Sequence, residues 1–161
     1  MLASVLIFGA MYNRAVHVLK VSGAAELERI RAAKGSNPGS TITCSARLAV
    51  LFPAEGAVGA AVLWAATDVI DMVVLGLGDS DDEGTPCFES ALPKLLGAVR
   101  EGRITLAKVA ALLSTNPRAI FHLDSQPETH IEVDDGNGQV VEAVHRGELT
   151  SLDGVACAGA L

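Results

Sequence analysis

"AVHVLKVSGAAELERIRAAK", residues 15–34, decides how this chain is to be read. Its first seven residues are rich in valine, which suits a strand. Ser22 and Gly23 then open a segment with Leu27 and Ile30 on one side and charges on the other, the pattern of an amphipathic helix. The unit recurs downstream. "TITCSA" (41–46) reads as a second strand, the Ala-rich stretch 54–67 as a helix weakened by Gly56 and Gly59, and "IDMVVLGL" (70–77) as a third strand with its body at 70–75. Strands that alternate with helices imply a parallel sheet with crossover helices.

The flanks follow the same logic. Residues 2–13 are apolar nearly all round and predict a buried helix. They lack the basic start of a signal peptide and are too short to span a bilayer. "GSNPGS" (35–40) predicts a loop. Residues 88–102 predict a helix broken or kinked at Pro93. Residues 105–114 predict a helix capped by Thr105, and Asn116-Pro117 a fresh helix start with Asn116 as its cap. The tail changes character: 129–134 and 139–150 read as strands around the turn "DDGNG", and another turn is expected at Asp153-Gly154.

Composition narrows the function. With 161 residues the chain can bury one sizeable core. Half of the residues are hydrophobic and only 4% aromatic, so that core rests on Ala, Val, Leu and Ile. A net charge of −7 with no basic face argues against a nucleic-acid partner, and no run reaches membrane-spanning length. Cys44, Cys87 and Cys157 are odd in number and far apart, which signals neither a disulfide framework nor a thiolate zinc site. A reducing, cytoplasmic location is the simpler expectation.

"DMVVLGLGDSDDEG" (71–84) is where an α/β protein would keep its chemistry. A dinucleotide loop would need a third glycine at Asp81, and the carboxylates at 79, 81, 82 and 83 would repel a pyrophosphate. A calcium loop would find Asp79, Asp81, Glu83 and Gly84 in place, but Ser90 where the bidentate glutamate belongs and Pro86 inside the loop. A solvated acidic turn fits better. His17, His122, His130 and His145 are spread over several elements, and neither H-x-H, H-E-x-x-H nor G-x-S-x-G occurs.

Longer blocks, taken in order, carry a resemblance. "AVHVLKVSGAAELERIRAAKG", "TITC", "VIDMVVLGLGD", "CFESALPKLLGAVREGRITLAKVAALLSTNPRAIFHL", "ETHIEVD" and "HRGELTSLDG" together resemble the C-terminal half of dihydroorotases. These are amidohydrolases of pyrimidine synthesis. The blocks most resemble the dihydroorotase-like region of the multifunctional proteins that also carry carbamoyl-phosphate synthetase and aspartate transcarbamoylase. The resemblance implies a partial (β/α) barrel of about three βα units over 1–128 and a small antiparallel β tail over 129–161. It also implies that the chemistry is gone. Active members bind zinc. Here Lys20 stands at a metal-binding histidine, Ala49 and Val50 at a histidine pair, Gly76 at the aspartate that is both ligand and base, and Leu77 at the histidine after it. His17 matches a histidine that is not a ligand, and the family's H-x-H ligands and bridging lysine would lie upstream of Met1.

By this resemblance the chain is a non-catalytic, structural or scaffolding segment that uses no cofactor. Its partners would be other chains or domains of a pyrimidine-synthesis multienzyme, or a second copy of itself. The alternative is a degenerate cyclic amidohydrolase completed by a partner chain. One further expectation comes from the chemistry of the replacement. Lys20 directed inward would put positive charge near the lost metal's place, where Asp79 could pair with it; otherwise Lys20 reaches solvent.

Overall fold

A computed structural model describes residues 2–21, 23–36, 41–52, 64, 67–74, 87–125, 127–134 and 140–149. Helix α1 (Leu2–Met11) leads into strand β1 (Val16–Val21), helix α2 (Ala24–Ser36) and strand β2 (Ile42–Arg47). A single turn, α3 (Leu48–Leu51), follows β2, and strand β3 is short (Met72–Val74). The three strands form a parallel sheet in the order β1-β2-β3.

Sequence sets the ends of these elements. Gly23 sits at the start of α2; its carbonyl accepts from the Leu27 N–H, and its own N–H donates to Glu26 Oε2 at 3.3 Å. A glutamate reaching back over the first turn satisfies a donor that the helix itself cannot. Helix α4 (Cys87–Arg100) closes on Gly102, whose φ of +70° allows Gly102 N–H to reach Val99 O and Arg103 N–H to reach Ala98 O. Helix α5 (Leu106–Ala110) starts as expected, with Thr105 Oγ1 accepting from Lys108 N at 3.1 Å.

The core lies between the sheet and its helices. β2 is central and nearly wholly buried, and Ile42, Cys44 and Ala46 pack with Leu27 and Ile30 of α2, Leu95 of α4 and Leu112. A second, antiparallel sheet is made of β4 (His130–Val133), β5 (Val140–His145) and β6 (Glu148–Leu149).

Several expectations are corrected. Helix α1 forms but is not buried: Leu6 and Gly9 are covered, while Val5, Ile7, Phe8 and Met11 are exposed. Its apolar character exceeds the surface available to cover it. Residues 35 and 36 extend α2 rather than joining the loop. Pro93 lies inside α4 and does not break it. Asn116 is not a cap. A π-helical stretch (Ala111–Thr115) joins α5 to α6 (Asn116–Phe121), Asn116 is itself helical, and its side-chain amide donates to the Asp71 carbonyl at 2.7 Å. The strand read over 139–150 is two strands, divided at Arg146 and Gly147, both at positive φ as a tight hairpin turn requires. The expected helix over 54–67, apart from Trp64 and Thr67, the acidic turn and the turn at Asp153-Gly154 lie outside the described residues.

Candidate functional site

In parallel barrels the chemistry sits at the C-terminal ends of the strands. Lys20 occupies that end of β1. Its φ is +57°, the pairing register between β1 and β2 shifts between Val18 and Val21, and its backbone N–H donates to the buried Ser45 Oγ at 3.3 Å. The Lys20 side chain is exposed. Past β2, Ala49 and Val50 lie on α3, with Val50 packed against the core. Gly76, Leu77 and Asp79 lie outside the described residues, and with Asp79 so does the Lys20–Asp79 pair. The described residues here do not fit a zinc ion. An ammonium has no lone pair to donate while charged, and a valine offers no donor at all.

His17 lies earlier on β1 and is held for structure. Its Nδ1 is 2.8 Å from Thr43 Oγ1 on β2, its ring meets Phe121 edge-on at 5.5 Å, and its Nε2 is buried with no partner among the described residues. Burial lowers its pKa below 6.5; Asp71 works against this and Lys34 with it. The unfolded chain therefore binds more protons than the folded one as pH falls through 6.5. Stability is fully present above that value and declines below it, toward the folded pKa. Urea midpoints should drop between pH 7.5 and 5, and His17→Gln should flatten that drop. An equal slope in the variant would assign the acid sensitivity to other groups.

The best-organised polar cluster lies at the opposite end of β3. Asp71 Oδ2 accepts from Lys34 Nζ and from the Cys44 N–H, both at 2.7 Å. Lys34 Nζ also donates to Val69 O and Lys108 Nζ to Ile70 O, each at 2.8 Å. Cys44 Sγ donates to Val69 O at 3.3 Å. Burial, with Asp71 beside it, pushes the Cys44 thiol up to about 11, so it is not a nucleophile at neutral pH. Burial likewise lowers the Lys108 pKa, against the pull of Asp71. Each cation or amide ties a helix to the segment entering β3: Lys34 from α2, Lys108 from α5 and Asn116 from α6. This cluster braces the strand end remote from the catalytic end of such barrels.

Sequence reasoning did not find it, because its members are far apart along the chain. The one available signal was a carboxylate, Asp71, at the mouth of an apolar strand. Among the described residues, one group could gather ligand atoms round a cation: His130, Glu132 and Glu142 on the β4–β5 hairpin, within 4.8 Å of one another. His130 and Glu132 alternate on one face of β4, and Glu132 is paired across the ladder with Glu142. The group is largely exposed and belongs to the other sheet.

Comparison with known proteins places this geometry. No sequence-family profile matches the chain. Dihydropyrimidinase from Brevibacillus agri superposes on 92% of this chain and 47% of its own with a TM-score of 0.67 at 16% identity, so the two share a fold. More narrowly, the fold is similar to that of a dihydroorotase-like domain. The inactive dihydroorotase-like domain of the Chaetomium thermophilum CAD-like multifunctional protein superposes on 92% of this chain and 54% of its own, with a TM-score of 0.77 and 24% identity. In sequence, the chain is 31% identical to multifunctional protein pyr1-3 of Dictyostelium discoideum across 95% of its length, and 34% identical to multifunctional protein CAD of Squalus acanthias across 82%. It spans 9% and 7% of those two proteins.

Proposed function

We propose that the chain is a non-catalytic dihydroorotase-like segment with a structural or scaffolding role, working alongside other domains of a cytoplasmic pyrimidine-synthesis multienzyme. Residues 1–128 form its partial barrel and 129–161 its β tail. The observation that carries this reading is Lys20, an exposed ammonium at the catalytic end of β1, where the family resemblance puts a metal-binding histidine. Val50 adds to it, since an apolar side chain packed in the core cannot serve as a ligand. A hydrolytic metal site needs several aimed donors, a bound water of lowered pKa and a base for its proton. Gly76 and Leu77 would remove the base and a further ligand. The description of the Chaetomium thermophilum domain as inactive agrees with this.

The purified chain should therefore release no product from dihydroorotate or other cyclic amides, with or without added zinc, and should retain less than stoichiometric zinc after dialysis. Zinc-dependent turnover that is lost in Asp79→Asn would overturn the reading. It would favour instead a degenerate amidohydrolase that keeps an unrecognised base.

A further inference from the structure

Strand alternation puts His130 and Glu132 on one face of β4, and the ladder sets Glu142 of β5 directly across from Glu132. One imidazole nitrogen and one oxygen from each carboxylate lie within 4.8 Å of one another. Two carboxylates directly opposite on an antiparallel pair repel, which costs the hairpin stability. A lysine or arginine would relieve that cost, but among the described residues none pairs with Glu132 or Glu142. Their cationic neighbour is at most the His130 imidazole. Its Nε2 stands 4.0 Å from Glu142 Oε1, too far for a hydrogen bond. Three lone-pair donors thus converge without bonding one another.

We propose that His130, Glu132 and Glu142 form a zinc-binding clasp on the β4–β5 hairpin. The clasp is independent of the non-catalytic reading, because it belongs to the second sheet and not to the barrel end where the family resemblance puts its metal. The donor set selects the ion. An imidazole beside two carboxylates suits a borderline cation such as Zn2+, whereas Ca2+ takes roughly six to eight oxygens and Mg2+ keeps its water. Zinc bonds these nitrogens and oxygens at about 2.0–2.2 Å, which sets tetrahedral donors about 3.4 Å apart. Closing to that spacing asks for small torsions in side chains that are exposed or half-buried. The fourth position is left to water.

The ladder also says what the ion does. The register of β4 on β5 shifts between Glu132 and Val133, so Glu132 is the last residue before the irregularity. A cation bonded to both Glu132 and Glu142 turns a repulsive pair into a cross-link at that point and holds the register. His130 adds a second bond from β4, two residues back. With three protein donors on a largely exposed face the ion is exchangeable, and it leaves on dialysis.

The test titrates the full chain with zinc chloride alone, read by calorimetry and by hydrogen exchange of the β4 and β5 amides. One equivalent should bind, and at ten times the dissociation constant those amides should gain roughly tenfold protection. His130→Gln and Glu132→Gln should each weaken binding by more than about tenfold, the loss that even an outer partner of a ligand can cause. His122→Gln, at an exposed histidine outside the hairpin, should leave binding unchanged. Glu132→Gln carries a second sign. Without zinc it removes the repulsion, so hairpin protection stays or rises; with zinc the variant gains nothing. A residue that merely supports the strand would lower protection in both conditions. No binding would overturn the proposal, and so would binding that survives either hairpin variant or depends on His122, which would mean an adventitious ion only. Equal protection by calcium chloride at the same concentration, or loss of protection in zinc-free Glu132→Gln, would overturn it as well.

Discussion

Asp71→Ala should lower the stability of the chain by about 3 kcal/mol, the upper range for hydrogen bonds to a charged group. The carboxylate takes two short bonds on one oxygen, from Lys34 Nζ and the Cys44 N–H. Asp71 and Lys34 side chains are 22% and 26% exposed, so water replaces neither bond well once the partner is gone. Removing Asp71 leaves the Lys34 ammonium with the Val69 carbonyl but no carboxylate, leaves the Cys44 N–H without its acceptor, and removes the anion that offsets Lys34 against Lys108. Lys34→Met should cost less, because Asp71 keeps the Cys44 N–H. Asp71→Asn should fall between, since an amide oxygen can still accept one of the two bonds. Chemical denaturation of the three variants checks the order. Equal losses would mean that the charge, and not the geometry of acceptance, carries the effect.

The contrast between this cluster and the sheet shows what a linear sequence exposes. β1, β2 and β3 fall within a residue or two of the readings 16–21, 41–46 and 70–75, because β-branched runs between breakers are local signals. The Thr105 cap is local as well. The Asp71 contacts join residues 27, 37 and 45 positions apart, and no window along the chain brings them together. Asn116-Pro117 shows the same limit in reverse. The dipeptide is a sound start signal, but the Asp71 carbonyl offers Asn116 Nδ2 a better partner than the helix end would, and the backbone stays helical through a π turn. The character of the C-terminal end of the sheet was legible only through resemblance. Lys20 means little as a lysine in an apolar strand until a histidine is expected there.

Ile30→Ala should cost about 3–4 kcal/mol, whereas Ile7→Ala should change stability by less than about 0.5 kcal/mol. The two residues are chemically identical and both sit in helices. Ile30 on α2 is 0% exposed and packs in the main core. Truncating it removes three carbons from contact and leaves a void that the neighbouring Leu27 and Ile42 can fill only in part. Ile7 on α1 is 58% exposed, so alanine there loses little contact and gains helix propensity. From sequence alone Ile7 is the safer guess for the core, since residues 2–13 carry one charge-free apolar run and 24–36 do not. Apolarity records what a side chain would gain from burial. Whether it is buried depends on a partner surface, and α2 has one in β2 where the outer face of α1 has none among the described residues. Denaturant midpoints of the two variants measure this difference directly. A loss at Ile7 approaching that at Ile30 would mean that the outer face of α1 is already covered in the isolated chain.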